Sequence, residues 1–449
     1  MLTPRFTCSQ DDDAVIVSLY VPSIRATEVS ILVEGTSFTI NVNPYFLRIN
    51  FPSPVVEDDA SSALYDPSSG YMTVKLAKAV KGEQFQDLDM LGKLMAPSTS
   101  SPATNRKPMI EVLDGDDEEA KKAWLMQERD TLLDAEKHNW NLPPPLPDTP
   151  FSTSLTHPYG FLNLHSGYFP RATDTENEVN TYGEDAERLS EGERWEKMRA
   201  HEEEKWDPEH YIADFMDDAM IREILAQDAP FFDLLHEPIT FTDDENLIMI
   251  QLPQREFLLT PELNRNLYLT IVPILFSTAY DALTTFSEPT SQSAWTISVL
   301  AAPFVSLNSL PANCTLLSAL VSCYRRALAY PLYRSWALCE GVRREAAQIL
   351  RKGRRGVGKL LFWTRAVLDA GGPYAAYARV WVDDYLRWVQ MHASDETFLS
   401  LADELSALHI SKVDIGWPLQ ELEEAAQEMQ QGDSDDESDQ QEHMLPAPL

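Results

Sequence analysis

Asn43-Pro44-Tyr45-Phe46-Leu47-Arg48-Ile49-Asn50-Phe51 is the stretch on which the fold turns. A turn dipeptide opens it, and from there Tyr45, Leu47, Ile49 and Phe51 alternate with Phe46, Arg48 and Asn50. An apolar period of two sends alternate side chains to opposite faces, so the segment predicts a strand with a buried and a solvated face. The same alternation recurs on both sides: Val15, Val17, Leu19 and Val21; Val29, Ile31 and Val33; Phe38, Ile40 and Val42; Met72, Val74 and Leu76. Between these runs stand turn signals, Asp11-Asp12-Asp13, Glu34-Gly35 and Asp66-Pro67-Ser68-Ser69-Gly70. Pro4 to Cys8 adds a short edge strand. Several short strands at close spacing predict an antiparallel β-sandwich over residues 1–96.

The pattern then changes. From Pro97 to Lys107 the chain is mostly Ser, Thr, Pro and Asn, the composition of a flexible linker. Residues 97–154 are expected to be this linker, acidic and Pro-rich, with one helix from Ala120 to Asn139 and a break at Pro143-Pro144-Pro145-Leu146-Pro147. After Leu155 the apolar residues follow a period of 3.6. Asp207-Pro208-Glu209 and Thr260-Pro261-Glu262 read as helix starts, each with a capping side chain followed by proline in the first turn. Further helices are predicted from about Cys314 to Leu328, Leu332 to Leu350, Gly358 to Leu368, Tyr374 to Met391 and Glu396 to Leu408. Leu267 to Phe286 is the most apolar stretch, but its Thr270, Pro273, Ser277, Thr278 and Asp281 argue for a buried helix rather than a membrane span. The expected class is therefore multidomain β plus α: an N-terminal sandwich followed by an all-α domain over residues 155–420. Thr290 to Pro311 shows no motif that can be placed, and its positions stay unassigned.

Charge narrows the function. The chain has 36 Lys and Arg against 71 Asp and Glu, a net charge of −35. Such a chain is repelled by phosphate backbones and anionic membranes and attracts basic partners. The acid is clustered: Asp174 to Asp218 holds 17 acidic and 5 basic residues, and Glu421 to Leu449 holds 10 acidic residues and no Lys or Arg. Residues 421–449 are expected to be a disordered tail, in which Ser434, followed by Asp435, Asp436 and Glu437, is a phosphorylation candidate. Against this trend, Arg325 to Arg365 carries 11 Lys or Arg and 2 Glu. With few aromatics among those cations, contacts to acid within the chain or on a protein partner are the better reading than RNA.

Recognisable catalytic chemistry is missing. Cys8, Cys314, Cys323 and Cys339 form no Cys-x-x-Cys pair and no His cluster has zinc spacing. Gly353-Arg354-Arg355-Gly356-Val357-Gly358-Lys359 has the spacing of a phosphate loop, but Leu360 follows where Ser or Thr would hold magnesium. It reads better as a glycine break between two packed helices. No enzyme activity, metal or cofactor is expected. Without a signal-peptide pattern or a long charge-free apolar run, a cytosolic or nuclear setting is expected.

Specific strings carry a resemblance. Met1-Leu2-Thr3-Pro4-Arg5-Phe6, Val33-Glu34-Gly35-Thr36, Asn43 to Ile49, Tyr65-Asp66 and Gly70 to Leu76 closely resemble the CS domain that opens the Shq family. That domain has the sandwich of the small heat-shock proteins. His157-Pro158-Tyr159-Gly160-Phe161-Leu162-Asn163, Trp206 to Phe215, Tyr324-Arg325-Arg326-Ala327 and Tyr330-Pro331-Leu332-Tyr333-Arg334 resemble landmarks of the Shq-specific helical domain. The resemblance implies an assembly chaperone of H/ACA ribonucleoproteins. Such proteins hold the dyskerin-type pseudouridine synthase before its guide RNA loads and cover its RNA-binding surface. It implies a nuclear and cytoplasmic, monomeric protein without stable nucleic-acid or membrane binding. The rival is a CS-domain co-chaperone of the cytosolic ATP-driven heat-shock chaperone. Candidate partner contacts are Phe46 and Arg48 on the solvated strand face, with Tyr159, Phe161, Tyr330, Leu332, Tyr333 and Arg334 in the helical strings.

Overall fold

Eight strands open the computed structural model, which describes residues 2–22, 24, 29–58, 61–96, 157–169, 182, 185–226, 238–252, 255–330 and 333–428. One sheet contains β1 (Arg5–Gln10), β2 (Ala14–Tyr20), β8 (Tyr71–Lys78) and β6 (Val55–Val56) in that order, with β7 (Ser62–Asp66) also paired to β8. The other is β3 (Ser30–Glu34), β4 (Ser37–Val42) and β5 (Tyr45–Asn50). Every strand pairing is antiparallel. The predicted alternation sets the register. Phe38 faces Ile49 and Ile40 faces Leu47 across β4 and β5, while Val17 faces Val74 and Leu19 faces Met72 across β2 and β8. All eight of these side chains are buried, so one apolar layer joins the two sheets. The edge strand expected from Pro4 is β1. β6 and β7 were not expected. In β7 only Tyr65 is even half-buried and Leu64 is exposed, so no apolar alternation marks that strand.

Among the described residues the named elements after β8 are helical. Asp207 caps α3 (Pro208–Met216), its carboxylate accepting from the Glu209 and His210 amides, and Thr260 caps α6 (Pro261–Thr284) by accepting from the Leu263 amide. Among the described residues α6 alone is long and apolar enough to cross a membrane, and 94% of its most apolar window is buried inside the protein. It is a core helix, as predicted. Before it come α1 (Leu91–Leu94), α2 (Glu191–Lys205), α4 (Ala219–Leu225) and α5 (Asp243–Gln251). After it come α7 (Ser293–Leu300), α8 (Ala302–Ser306), α9 (Leu316–Ala329), α10 (Trp336–Arg351) and α11 (Gly353–Ala370). α12 (Ala375–Tyr377), a π-turn over Ala378–Val382, α13 (Asp383–Met391) and α14 (Asp395–Ala407) complete the named set. Gly353 opens α11 one residue after α10 ends, at φ 63°, where the sequence placed a glycine break, and a Cβ there would lie 2.3 Å from Asp395 Oδ1.

α7 and α8 fill the stretch left unassigned in the sequence. α7 buries Ala294, Ile297, Ser298, Val299 and Leu300, which wrap around the helix, and a helix buried on most sides shows no amphipathic period. The first residues of the expected tail are ordered. Residues 419–428 are helical, with Leu419 and Ala426 buried and Glu423 accepting from the Tyr211 hydroxyl at 2.6 Å. The predicted linker helix and Ser434 lie outside the described residues.

Residues 1–96 and the chain from 156 onward form one compact unit. Phe85, Leu88, Met90, Leu91 and Leu94, which follow the last strand, are all buried. The Gly92 amide donates to Gln390 Oε1 at 3.0 Å, and a Cβ at Gly92 would meet that oxygen at 2.3 Å. Arg354 reaches Asp87 at 2.9 Å, and Arg355 grips both carboxylate oxygens of Asp89 at 2.5 Å. That fork-to-fork pairing is the strong geometry for a guanidinium. Burial disfavours the Asp87 charge, yet Lys93 and Arg354 more than offset it and hold its pKa below the ordinary value.

Candidate partner-contact site

The predicted contact residues fall in three places. Phe46 and Arg48 lie on the outer face of β5, as the alternation required; Phe46 is 37% exposed, and Arg48 Nε donates to Ser37 Oγ at 3.4 Å. Tyr159 and Phe161 are fully buried and present no surface to a partner. Phe161 packs on Phe257 at 5.0 Å and Tyr385 at 4.9 Å, and the Tyr159 hydroxyl donates to Glu187 at 2.6 Å. These two rings anchor the segment before the helices to the interior. The same segment supplies His165, whose Nε2 lies 2.6 Å from Asp384 Oδ2, with Arg255 3.4 Å from that oxygen. This buried His–Asp pair was not read from the sequence, because its members are 219 residues apart.

Tyr330 and Arg334 line the third place, and Trp206 and His210 from a separate sequence landmark meet them there. A cleft of about 600 Å³ lies between the end of α2, the start of α3 and the end of α9, also lined by His201, Lys205 and Trp295. Each wall is tied down. Trp206 stacks on Trp417 with ring centroids 4.2 Å apart and planes at 6°, and the Arg325 guanidinium sits 4.3 Å over the other ring. The Tyr330 hydroxyl pairs with His201 Nδ1 at 3.0 Å, and Arg326 lies 4.6 Å over the Tyr330 ring. The Arg334 amide donates to Asp214 at 2.8 Å, and its guanidinium lies 3.6 Å from the same carboxylate. Tyr333 is half-buried and its carbonyl accepts from Tyr280, while Leu332 lies outside the described residues. With Glu204 and Asp207 also in the lining, the walls are aromatic and carry both charge signs, a mixture that suits a protein side chain. Among the described residues no group of His, Cys, Asp or Glu could hold a metal ion.

The basic stretch is spent internally, the outcome favoured from its composition. Glu202 is held between Arg325 at 3.1 Å and Arg326 at 3.0 Å, and both Glu202 and Arg326 are fully buried. Arg325 also reaches Glu203, whose pKa is lowered by the Trp417 indole hydrogen bond and, despite burial, by Arg325. Arg343 pairs with Glu340, Arg351 with Asp403, Lys359 with Glu245, and Arg365 with Asp369 and Asp383. Glu202, Glu203 and Asp214 all come from the acidic run ending at Asp218, so three of the basic stretch's arginines, Arg325, Arg326 and Arg334, are paired with that run.

Comparison with known proteins decides the family. Residues 3–95 match the family model described as SHQ1-like, CS domain, and residues 234–419 match the SHQ1 protein, Shq1 domain. Protein shq1 of Schizosaccharomyces pombe is 32% identical over 450 residues, covering 95% of this chain and 97% of that protein. The chain belongs to the Shq1 family. Its Shq1 relatives span animals as well: the Protein SHQ1 homolog of Xenopus tropicalis is 30% identical over 96% of this chain and 70% of that protein. That of Caenorhabditis elegans is 27% identical over 98% and 100%. Among solved structures, Heat shock protein 16.0 from Schizosaccharomyces pombe aligns with 19% of this chain and 94% of that chain, at 19% identity and TM-score 0.17. The Shq1-domain match contains Tyr330 and Arg334, and the CS match contains Phe46 and Arg48. The His157 and Trp206 strings lie outside both matched ranges.

Proposed function

We propose that this chain is a non-enzymatic assembly chaperone that holds the dyskerin-type pseudouridine synthase of H/ACA ribonucleoproteins before guide RNA loads. Family membership supports the chaperone class, and one structural observation carries the mode of action. At least nine of the eleven Lys and Arg from Arg325 to Arg365 pair with carboxylates of the chain itself, so this stretch leaves the −35 chain little free positive charge to offset its acid. An acidic, aromatic-bearing surface complements a basic RNA-binding surface and speeds encounter with it. The chain then acts as a placeholder, occupying sites that RNA phosphates and bases later fill. The role sets its place in the nucleus and cytoplasm, as a monomer without stable nucleic-acid binding.

The rival role, a CS-domain co-chaperone of the ATP-driven heat-shock chaperone, treats the sandwich as a free module. The Asp87 and Asp89 pairings to α11 favour a joint role for both halves. The test is capture of the synthase by the full chain in rising guide RNA. Release of the chain as RNA binds is expected; tight simultaneous binding of both overturns the placeholder role.

A further inference from the structure

One apolar groove is left without a role by the sites above. It measures about 430 Å³ and lies where residues 162–164, the segment before α6 and the α6 N-terminus converge. Leu164, Leu258 and Leu263 open onto it, and Leu258 is 93% exposed. Leucines scattered singly over a surface are ordinary, but three around one depression form a patch that water covers poorly. The backbone is bent to make it. Leu162 (φ 50°) and Asn163 (φ 55°) are consecutive left-handed residues, neither of them glycine. A leucine in that region is strained, and the conformation persists because Phe161 on one side is locked between Phe257 and Tyr385. The strain turns the chain so that Phe161 points inward while Leu162 and Leu164 line the groove.

Charge selects the occupant. Glu191 and Glu256 stand on the rim, and among the described residues no Lys or Arg lines it. Arg265, one residue from the lining Asn266, is directed to the Cys314 carbonyl at 3.4 Å. We infer that this groove docks a segment of a basic protein partner, an apolar side chain seated on the leucines with flanking Lys or Arg against Glu191 and Glu256. The inference rests on the chaperone reading above and locates one of its contacts.

Two probes separate the inference from that reading. The first is a 14-residue amphipathic Leu/Lys peptide titrated into the full chain and into its Leu258→Asp variant, with a Leu/Glu peptide as the charge control. Leu258 is nearly free of neighbours, so the variant should keep the melting temperature of the wild type. Simple attraction to an acidic chain predicts equal or tighter binding by the more negative variant. Docking in the groove predicts about tenfold weaker binding, and no binding of the Leu/Glu peptide. Equal affinity of wild type and variant for the Leu/Lys peptide overturns the groove. The second probe is the pseudouridine synthase itself. Its failure to bind the wild-type chain overturns the chaperone reading, whatever the peptide does. Binding within twofold by wild type and Leu258→Asp retains that reading and removes the groove from it.

Discussion

In the sandwich the buried layer is built from apolar cross-strand pairs, and Lys78 is the charged residue buried there among the described residues. Its ammonium donates to the Gln10 side chain and to the Asp11 and Glu83 carbonyls, with no carboxylate. The helical half buries Arg194, Glu202, Arg326, Lys359, Asp383, Asp384 and Arg387. One region is held by area removed from water, the other in addition by charges that must find each other. The difference lies in tolerance. An apolar pair degrades gradually as methyl groups are removed, whereas a buried ion pair that loses one member leaves an uncompensated charge.

The comparison breaks most sharply at Glu202. Glu202→Ala strands Arg326 inside the protein and is expected to cost about 3–5 kcal/mol, read as a fall in the urea midpoint. A loss no larger than that of a sandwich core truncation would erase the contrast. Asp281 tests it with the opposite sign. It is buried in α6, and Oδ2 has no hydrogen-bond partner. Burial, only partly countered by a Ser293 hydrogen bond, lifts its pKa from 3.8 to about 6. A raised folded pKa means that the stability at this site is complete below pH 4 and lost as pH climbs through 6. Asp281→Asn should therefore stabilise the protein by about 2–3 kcal/mol at pH 7 and by almost nothing at pH 4, in paired denaturation curves. In the sandwich, Ile49→Val should cost about 1 kcal/mol and follow no such pH dependence. At the small end, Phe46→Ala on the outer face should shift stability by less than about 0.5 kcal/mol, so any larger effect on synthase capture reports contact rather than folding.

The sandwich was legible because a half-buried strand writes its two faces directly into the sequence, and Tyr45 to Phe51 point where the alternation sends them. β7 escaped because an exposed edge strand needs no such code. Among the helices, those opened by a capping residue and a proline were readable, as at Asp207 and Thr260. α7 was not, since it is short, buried on most sides and opens without a capping side chain. The same limit applies to the contact site. Composition revealed that the basic run would find acid, but not that Glu202 would sit between Arg325 and Arg326, more than a hundred residues away in the chain. Tyr159 and Phe161 illustrate the converse: a memorable aromatic string marked an interior anchor, and the leucines beside it reached the surface.

The salt links between Asp87, Asp89 and the arginines of α11 bear on how fragments of this protein behave. A chain lacking its first 96 residues would leave Arg355 without either sandwich carboxylate and Arg354 with Asp395 alone. Two guanidinium groups in the first turn of α11 would then each have lost a carboxylate, Arg355 keeping only the Ile239 carbonyl among its hydrogen bonds. An affinity for phosphate-rich polymers measured on such a fragment has to be repeated on the full chain, which supplies the carboxylates these two cations have lost.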